Sequence, residues 1–195
     1  MLRWTILFFF FAMNVAAACP QEMFESGLKL TRKSPLFIAV LKRTTEGVVE
    51  EREDIFEPTQ DKVVSVFPHA LAIGKRISSQ RTYSTEYVEQ VSQLDDLRNL
   101  GSWTSKVVLY SGMKEIYRGA VKLSFLNMAE VKIGECVYDT WRVEDRLELE
   151  GKAPITLEKY YSPKLGVVLK TLVLSQDRET FSGVHYDTIA VANHH

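Results

Sequence analysis

The sequence predicts a mainly-β protein: a single, strongly curved antiparallel sheet forming an unclosed or half barrel, with one short helix near residues 85–100. Three observations point there. Cys136 to Glu150 alternates with a period of two, as an amphipathic strand does. Runs rich in β-branched and aromatic residues recur between turn residues along most of the chain. Only one segment carries helical spacing. Counting turn signals gives about eight to eleven strands, and a closed lipocalin-like barrel is the alternative architecture.

Taken in order, the chain opens with what reads as an address. Arg3 is the only charge before Glu22, the apolar run Trp4 to Met13 follows, and Ala16, Ala17 and Ala18 close the segment. A basic start, a short apolar stretch and an Ala-x-Ala site describe a cleaved signal peptide over 1–18. A membrane span needs about twenty apolar residues, more than lie between Trp4 and Ala18. The remainder, 19–195, reads as a single β-rich domain.

Cys19 follows Ala18 directly and leaves three readings open. Val15-Ala16-Ala17-Ala18-Cys19 resembles a permissive bacterial lipobox, which would make Cys19 a lipidation site. Alternatively, cleavage after Ala18 leaves Cys19 to pair with Cys136, since an even cysteine count in an oxidising compartment favours a bridge. In the third reading both thiols stay free.

Candidate strands follow at Gly27–Thr31, Leu36–Arg43, Val48–Phe56, Lys62–Phe67, Leu71–Tyr83, Ser105–Tyr110, Ile116–Phe125 and Val131–Ile133. Thr44-Thr45-Glu46-Gly47 is a hairpin turn, and Pro68 interrupts the fourth and fifth candidates. In the long strand from Cys136, Val137, Trp141, Val143, Leu147 and Leu149 share the apolar parity. Tyr138, Thr140, Arg142 and Glu144 share the wet one. A strand at Ile155–Glu158, a turn at Ser162-Pro163-Lys164-Leu165-Gly166, a strand at Val167–Leu174 and a last strand at Phe181–Val191 complete a meander. The exception is Val88, Val91, Leu94, Leu97 and Leu100, spaced every three residues between polar ones and followed by Gly101. That spacing predicts the helix, its apolar stripe turned to the concave face of the sheet.

Composition narrows function. Lys+Arg number 24 against 25 Asp+Glu, which argues against nucleic acid as a partner. No Gly-x-Ser-x-Gly elbow, His-Glu-x-x-His helix, Cys-x-x-Cys pair or Gly-rich phosphate loop occurs, so neither a catalytic residue, a metal ligand nor a cofactor is expected. The one pair with enzymatic potential is Cys136 with His185, a thiol and a base on neighbouring strands. His194 and His195 stand at the frayed terminus. Glu50-Glu51-Arg52-Glu53-Asp54 reads as a solvated strand edge. The apolar face of the long strand supports two readings. It is core, or it lines a slot for an acyl chain or apolar peptide formed by Trp141, Val143, Phe125 and the Leu94 and Leu97 face.

Val131 to Lys170 adds a resemblance. Ile133-Gly134-Glu135-Cys136, the alternating strand, and Tyr160-Tyr161-Ser162-Pro163-Lys164-Leu165-Gly166-Val167-Val168 resemble a family of exported bacterial proteins of unknown function. Its fold looks like the unclosed β-barrel of periplasmic lipoprotein carriers. The likeness implies that fold, an envelope location and, by analogy of architecture, a lipophilic ligand. Cys136 departs from the pattern, which has a small or aromatic residue there.

The expectation is therefore a non-catalytic envelope protein, periplasmic or, if Cys19 is lipidated, an outer-membrane-anchored lipoprotein. Its role is to bind or carry an acyl chain, lipoprotein or apolar peptide in the concave face of the sheet. The alternative is a structural or assembly module acting through protein–protein contacts, with membrane contact only through a lipidated Cys19.

Overall fold

The computed structural model describes residues 19–23, 25–54 and 62–192. The leader at 1–18, the last two residues of the Val48–Phe56 strand, and His194 and His195 lie outside the described residues. Thirteen strands form one antiparallel sheet: β1 (Leu28–Lys33), β2 (Leu36–Thr44), β3 (Gly47–Asp54), β4 (Lys62–Phe67), β5 (Lys75–Ile77), β6 (Thr82–Tyr87), β7 (Ser102–Ser111), β8 (Lys114–Ile133), β9 (Cys136–Leu149), β10 (Ile155–Ser162), β11 (Val167–Leu174), β12 (Thr180–His185) and β13 (Thr188–Val191). Neighbours in sequence are neighbours in the sheet from β1 to β12, and β13 pairs with β1 at the far edge.

That last pairing sets the curvature. Only Tyr186 and Asp187 separate β12 from β13, yet the two strands sit at opposite edges of the sheet. Extended chain advances at most about 3.6 Å per residue, so the sheet must curl until its edges nearly meet. At the meeting point the Asp187 N–H donates to the Thr31 carbonyl at 2.8 Å. The Lys33 N–H donates to Asp187 Oδ2 at 2.7 Å, and Arg32 Nη1 to the Gly183 carbonyl at 3.0 Å. No ladder joins β12 to β1 among the described residues, so the barrel is unclosed and the lipocalin-like alternative is not adopted.

Thirteen strands exceed the eight to eleven expected. Phe181–Val191, which reads as one strand, is cut at Tyr186-Asp187 into β12 and β13. Leu71–Tyr83 becomes a loop, β5 and the start of β6, turned at Ser78, whose N–H donates to the Arg81 carbonyl at 2.9 Å. Conversely, Val131–Ile133 is no separate strand but the end of the 20-residue β8. The helix is shorter than expected: a 3-10 turn at Val91–Asp96 continues into α1 (Leu97–Leu100). Residues 85–87 belong instead to β6, where Thr85 pairs with Leu109 and Tyr87 with Val107. A period of three is the 3-10 repeat, which buries Leu94 and Leu97 completely while leaving Val88 and Leu100 exposed. Gly101 takes φ 74° and its N–H closes the turn onto the Leu97 carbonyl at 2.9 Å.

β9 departs most from its sequence reading. Trp141 and Val143 are buried as expected, but Val137 is 55% exposed, whereas Tyr138 is 6% and Thr140 0% exposed. The buried parity therefore changes at Thr140–Trp141. β9 itself stays regular, and the extra residue opposite it is Leu126 on β8, where the register slips between Phe125 and Asn127. Because side chains alternate faces along a strand, one face of β9 serves one core and its other face serves a second. Cys136 and Tyr138 join Leu28, Leu30, Phe37 and Leu165 in the first. Trp141 and Val143 join Leu94, Leu97, Trp103 and Leu123 in the second. The long β8–β9 hairpin is the element shared by both.

Gly119 shows how tightly that hairpin is built. A Cβ at this position would lie 1.9 Å from the Glu148 carbonyl oxygen. Gly119→Ala is expected to cost about 1–3 kcal/mol of stability through forced displacement of β9, read as a lower urea midpoint. An unchanged midpoint would show that the strand yields at no cost.

Candidate functional site in the concavity of the sheet

The five residues expected to line a slot do meet. Leu94, Leu97 and Val143 are fully buried and Trp141 nearly so. The Trp141 ring lies edge-on to Tyr161 at 5.5 Å and to Phe125 at 6.1 Å. They fill the second core, and none of the five lines the two cavities described next.

The open space lies beside them, in two compartments of about 200 Å³ each. The first is bounded by Leu41, Val48 and Phe67 of β2–β4 and by Val167, Val168 and Val184 of β11–β12. The second is bounded by Tyr87, Val107, Leu109, Val121, Leu123 and Leu157. Lys159 of β10 borders both. Its Nζ donates to Asp145 Oδ2 at 2.6 Å and to the Leu71 carbonyl at 2.7 Å, and both charged side chains are almost out of water. The Lys159 ammonium thus pins residues 70–73 to the sheet and forms the partition between compartments.

His69 holds the same segment from its other side. Its Nδ1 accepts the Leu71 N–H at 3.1 Å, so the ring proton is assigned to Nε2, which faces Asp95 Oδ1 at 3.5 Å. Burial lowers the His69 pKa, while Asp95 pulls it back up.

Charge enters the first compartment through Glu50, Arg52 and Lys170. The Arg52 guanidinium stacks on the Phe37 ring at 3.9 Å, one of its nitrogens is 3.4 Å from Asp54 Oδ1, and its buried Nε has no partner. Lys170 places its Nζ 4.7 Å from the Tyr160 ring centre. Burial raises the Glu50 pKa, against the pull of Arg52 and Arg76. Sequence reasoning missed these residues because the acidic run was taken for a solvated edge. β3 is an interior strand of the sheet, and alternation turns Glu50 and Arg52 to the side carrying Leu41 and Ala39. The parity of Val48, Glu50 and Arg52 was the available signal.

Cys19 and Cys136 form a disulfide, with S–S 2.01 Å and Cα–Cα 5.5 Å. Of the three readings of Cys19 the structure has the bridge. The sulfur that lipidation would alkylate is thereby engaged, and the Cys136–His185 pair has no free thiol; His185 is exposed on β12. The bridge secures the N-terminal strap against the first core, where Cys19 and Met23 pack and Lys164 Nζ donates to Gln21 Oε1 at 2.6 Å. Among the described residues no group of three or more His, Cys, Asp or Glu is placed to hold a metal ion, and no helix is long and apolar enough to cross a membrane.

No protein-family model matches the chain, and no curated protein matches it. Among solved structures it is similar to the hypothetical lipoprotein YmcC from Escherichia coli (K12), at 12% identity over 75% of each chain with a TM-score of 0.46.

Buried Glu158 and half-buried Glu50 should respond to pH in opposite senses. Burial alone would raise the pKa of Glu158, but hydrogen bonds from Arg142 and the Tyr160 hydroxyl, both at 2.6 Å, outweigh it and hold the group below the usual range. Its contribution is therefore present above the unfolded pKa of about 4.3 and is lost as pH falls through the lower folded value. Glu50, raised on folding, works against stability at neutral pH, and that penalty disappears as pH falls through its folded value toward the unfolded one. At pH 7, Glu158→Gln is expected to lower the melting temperature and Glu50→Gln to raise it, with both differences shrinking near pH 4. Equal and parallel shifts at both pH values would contradict the assignment.

Removing the bridge tests the strap. The cysteines are 117 residues apart, and losing a native disulfide typically costs about 2–5 kcal/mol. Cys19→Ser and Cys136→Ser should each lower stability by that amount and by the same amount as each other, measured by urea unfolding. Unequal losses would mean that one sulfur acts outside the bridge.

Proposed function

We propose that this chain is a non-catalytic binding protein of the bacterial envelope that holds an acyl chain in the first compartment of its curved sheet. The observation that carries the reading is that compartment: aliphatic and aromatic walls on facing strands, bordered by the charged groups Glu50, Arg52 and Lys170. Pockets that orient an apolar ligand by a few polar groups are the usual form of a binding site. The signal-peptide features of 1–18 and the Cys19–Cys136 bridge support an oxidising, exported location. A second reading, an assembly module, is favoured by the open β12 edge, where Phe181 is 81% exposed.

A ladder of neutral alcohols tests the proposal. Calorimetry with hexanol, octanol and decanol should show affinity rising about fourfold per added methylene, the equivalent of about 0.8 kcal/mol, until the compartment is full. Ligand at a hundredfold excess over Kd should stabilise the protein by about 2.7 kcal/mol. Val184→Phe, which puts a larger side chain into the compartment, should abolish both effects without unfolding the protein. No binding along the ladder, or binding untouched by Val184→Phe, would remove the carrier reading and leave the assembly module.

A further inference from the structure

Resting on that reading, we propose that the molecule held in the first compartment ends in a small anionic head, a carboxylate or a phosphate, received between Arg52 and Lys170. Three cations border the compartment, and their surroundings separate them into two kinds. Lys159 is saturated by Asp145 and the Leu71 carbonyl, so it is a wall. Arg52 and Lys170 are not saturated. Arg52 has a buried Nε without a partner, and its contact with Asp54, at 3.4 Å, is far longer than the 2.7–2.9 Å or so of a charge-assisted bond. Lys170 makes no ion pair among the described residues; its Nζ lies over the Tyr160 ring, and the Glu158 carboxylate, already bonded by Arg142 and the Tyr160 hydroxyl, attracts it only at longer range. A half-buried cation that is incompletely paired is costly, and an anion placed between the two groups lowers that cost for both.

The remaining charge on the wall is Glu50. Burial raises its pKa against the pull of Arg52 and Arg76, and an anion in the compartment would meet its carboxylate as the one opposing charge on that wall. The apolar walls at Val48, Phe67 and Val184 then take the chain, and the cations hold one end of it. A carboxylate head points to a fatty-acid source and a phosphate head to a phospholipid source. The shared chemistry is a compact anion that the planar guanidinium can grip through two N–H groups.

The test uses the oxidised full chain and three ligands with the same ten-carbon tail: decanol, decanoate and decyl phosphate. Calorimetry is expected to show at least one anion binding tenfold or more tightly than decanol. Whichever anion is preferred names the source. Lys170→Met should bring the anions down toward the decanol value while leaving decanol unchanged, and Lys170→Arg should restore the difference. Glu50→Gln should tighten both anions severalfold and leave decanol alone. Arg52→Met is the stronger variant, but Arg52 also stacks on Phe37, so Lys170→Met carries the test if Arg52→Met fails to fold. Equal affinity for all three ligands, or an anion preference that survives Lys170→Met, overturns the inference and leaves the acyl-binding reading intact. If none of the three binds, both fall.

Discussion

The two-residue link between β12 and β13 is the constraint on which the rest of the molecule depends. A meander of twelve strands has no reason of its own to return its last strand to its first. Tyr186 and Asp187 impose that return, and a sheet of this width meets it only by curling through most of a turn. Curling creates an inside, and an inside must be filled or left hollow. Tyr186 is itself part of the filling: it is 9% exposed and meets Phe37 edge-on at 5.8 Å. One short segment therefore sets the curvature, ties the sheet edges through Asp187 and plugs the first core.

The inside is too wide for one layer of side chains, and the long β8–β9 hairpin solves this by working on both faces. Leu126 is the residue that allows it. By adding one position to β8 against a regular β9, it lets Phe125 and Val143 face the helix while Tyr138 faces Leu28 and Phe37. The disulfide belongs to the same solution. Cys136 begins β9 at the hairpin tip, the point where an extended arm is most free to swing, and the bridge to Cys19 holds that tip against the first core.

The fold was legible in the sequence to the extent that local period decides it. Alternation and turn chemistry pointed to the antiparallel meander and most strand limits, and the resemblance of Val131–Lys170 implied its open form. Where the reading failed, the deciding contact was distant in sequence. At the break itself, Phe181–Val191 carries only Asp187 as a signal, and that single residue decides nothing until β1 pairs with β13. The 85–87 segment looked helical because its neighbours do, and β7 claimed it. Val137 and Tyr138 exchanged roles because a bulge on another strand chose which parity each core would use. The candidate site follows the same rule. Leu94, Leu97, Trp141, Val143 and Phe125 were found as a group because apolar spacing is local. That they fill space rather than line it depends on the volume between strands, which no spacing encodes.

Arg52 and Lys159 mark the difference between charge used for architecture and charge left for a ligand. Lys159 is deep in the sheet, yet its ammonium has a carboxylate and a carbonyl, and breaking either would strand a nearly buried charge at a cost of several kcal/mol. Such a pair holds still. Arg52 sits on the opposite wall with a ring beneath it, a distant carboxylate beside it and one donor unused. A folding requirement alone would have been met by an apolar residue of similar size, since replacing buried ionic groups with apolar ones is often neutral or stabilising. Lys170, resting on Tyr160 with the Glu158 carboxylate reaching it only at longer range, repeats the pattern across the compartment. Two incompletely paired cations bordering one apolar hollow make better sense as half of an interaction than as a finished core, and that asymmetry distinguishes the first compartment from the second, where Asp145 has already claimed the available cation.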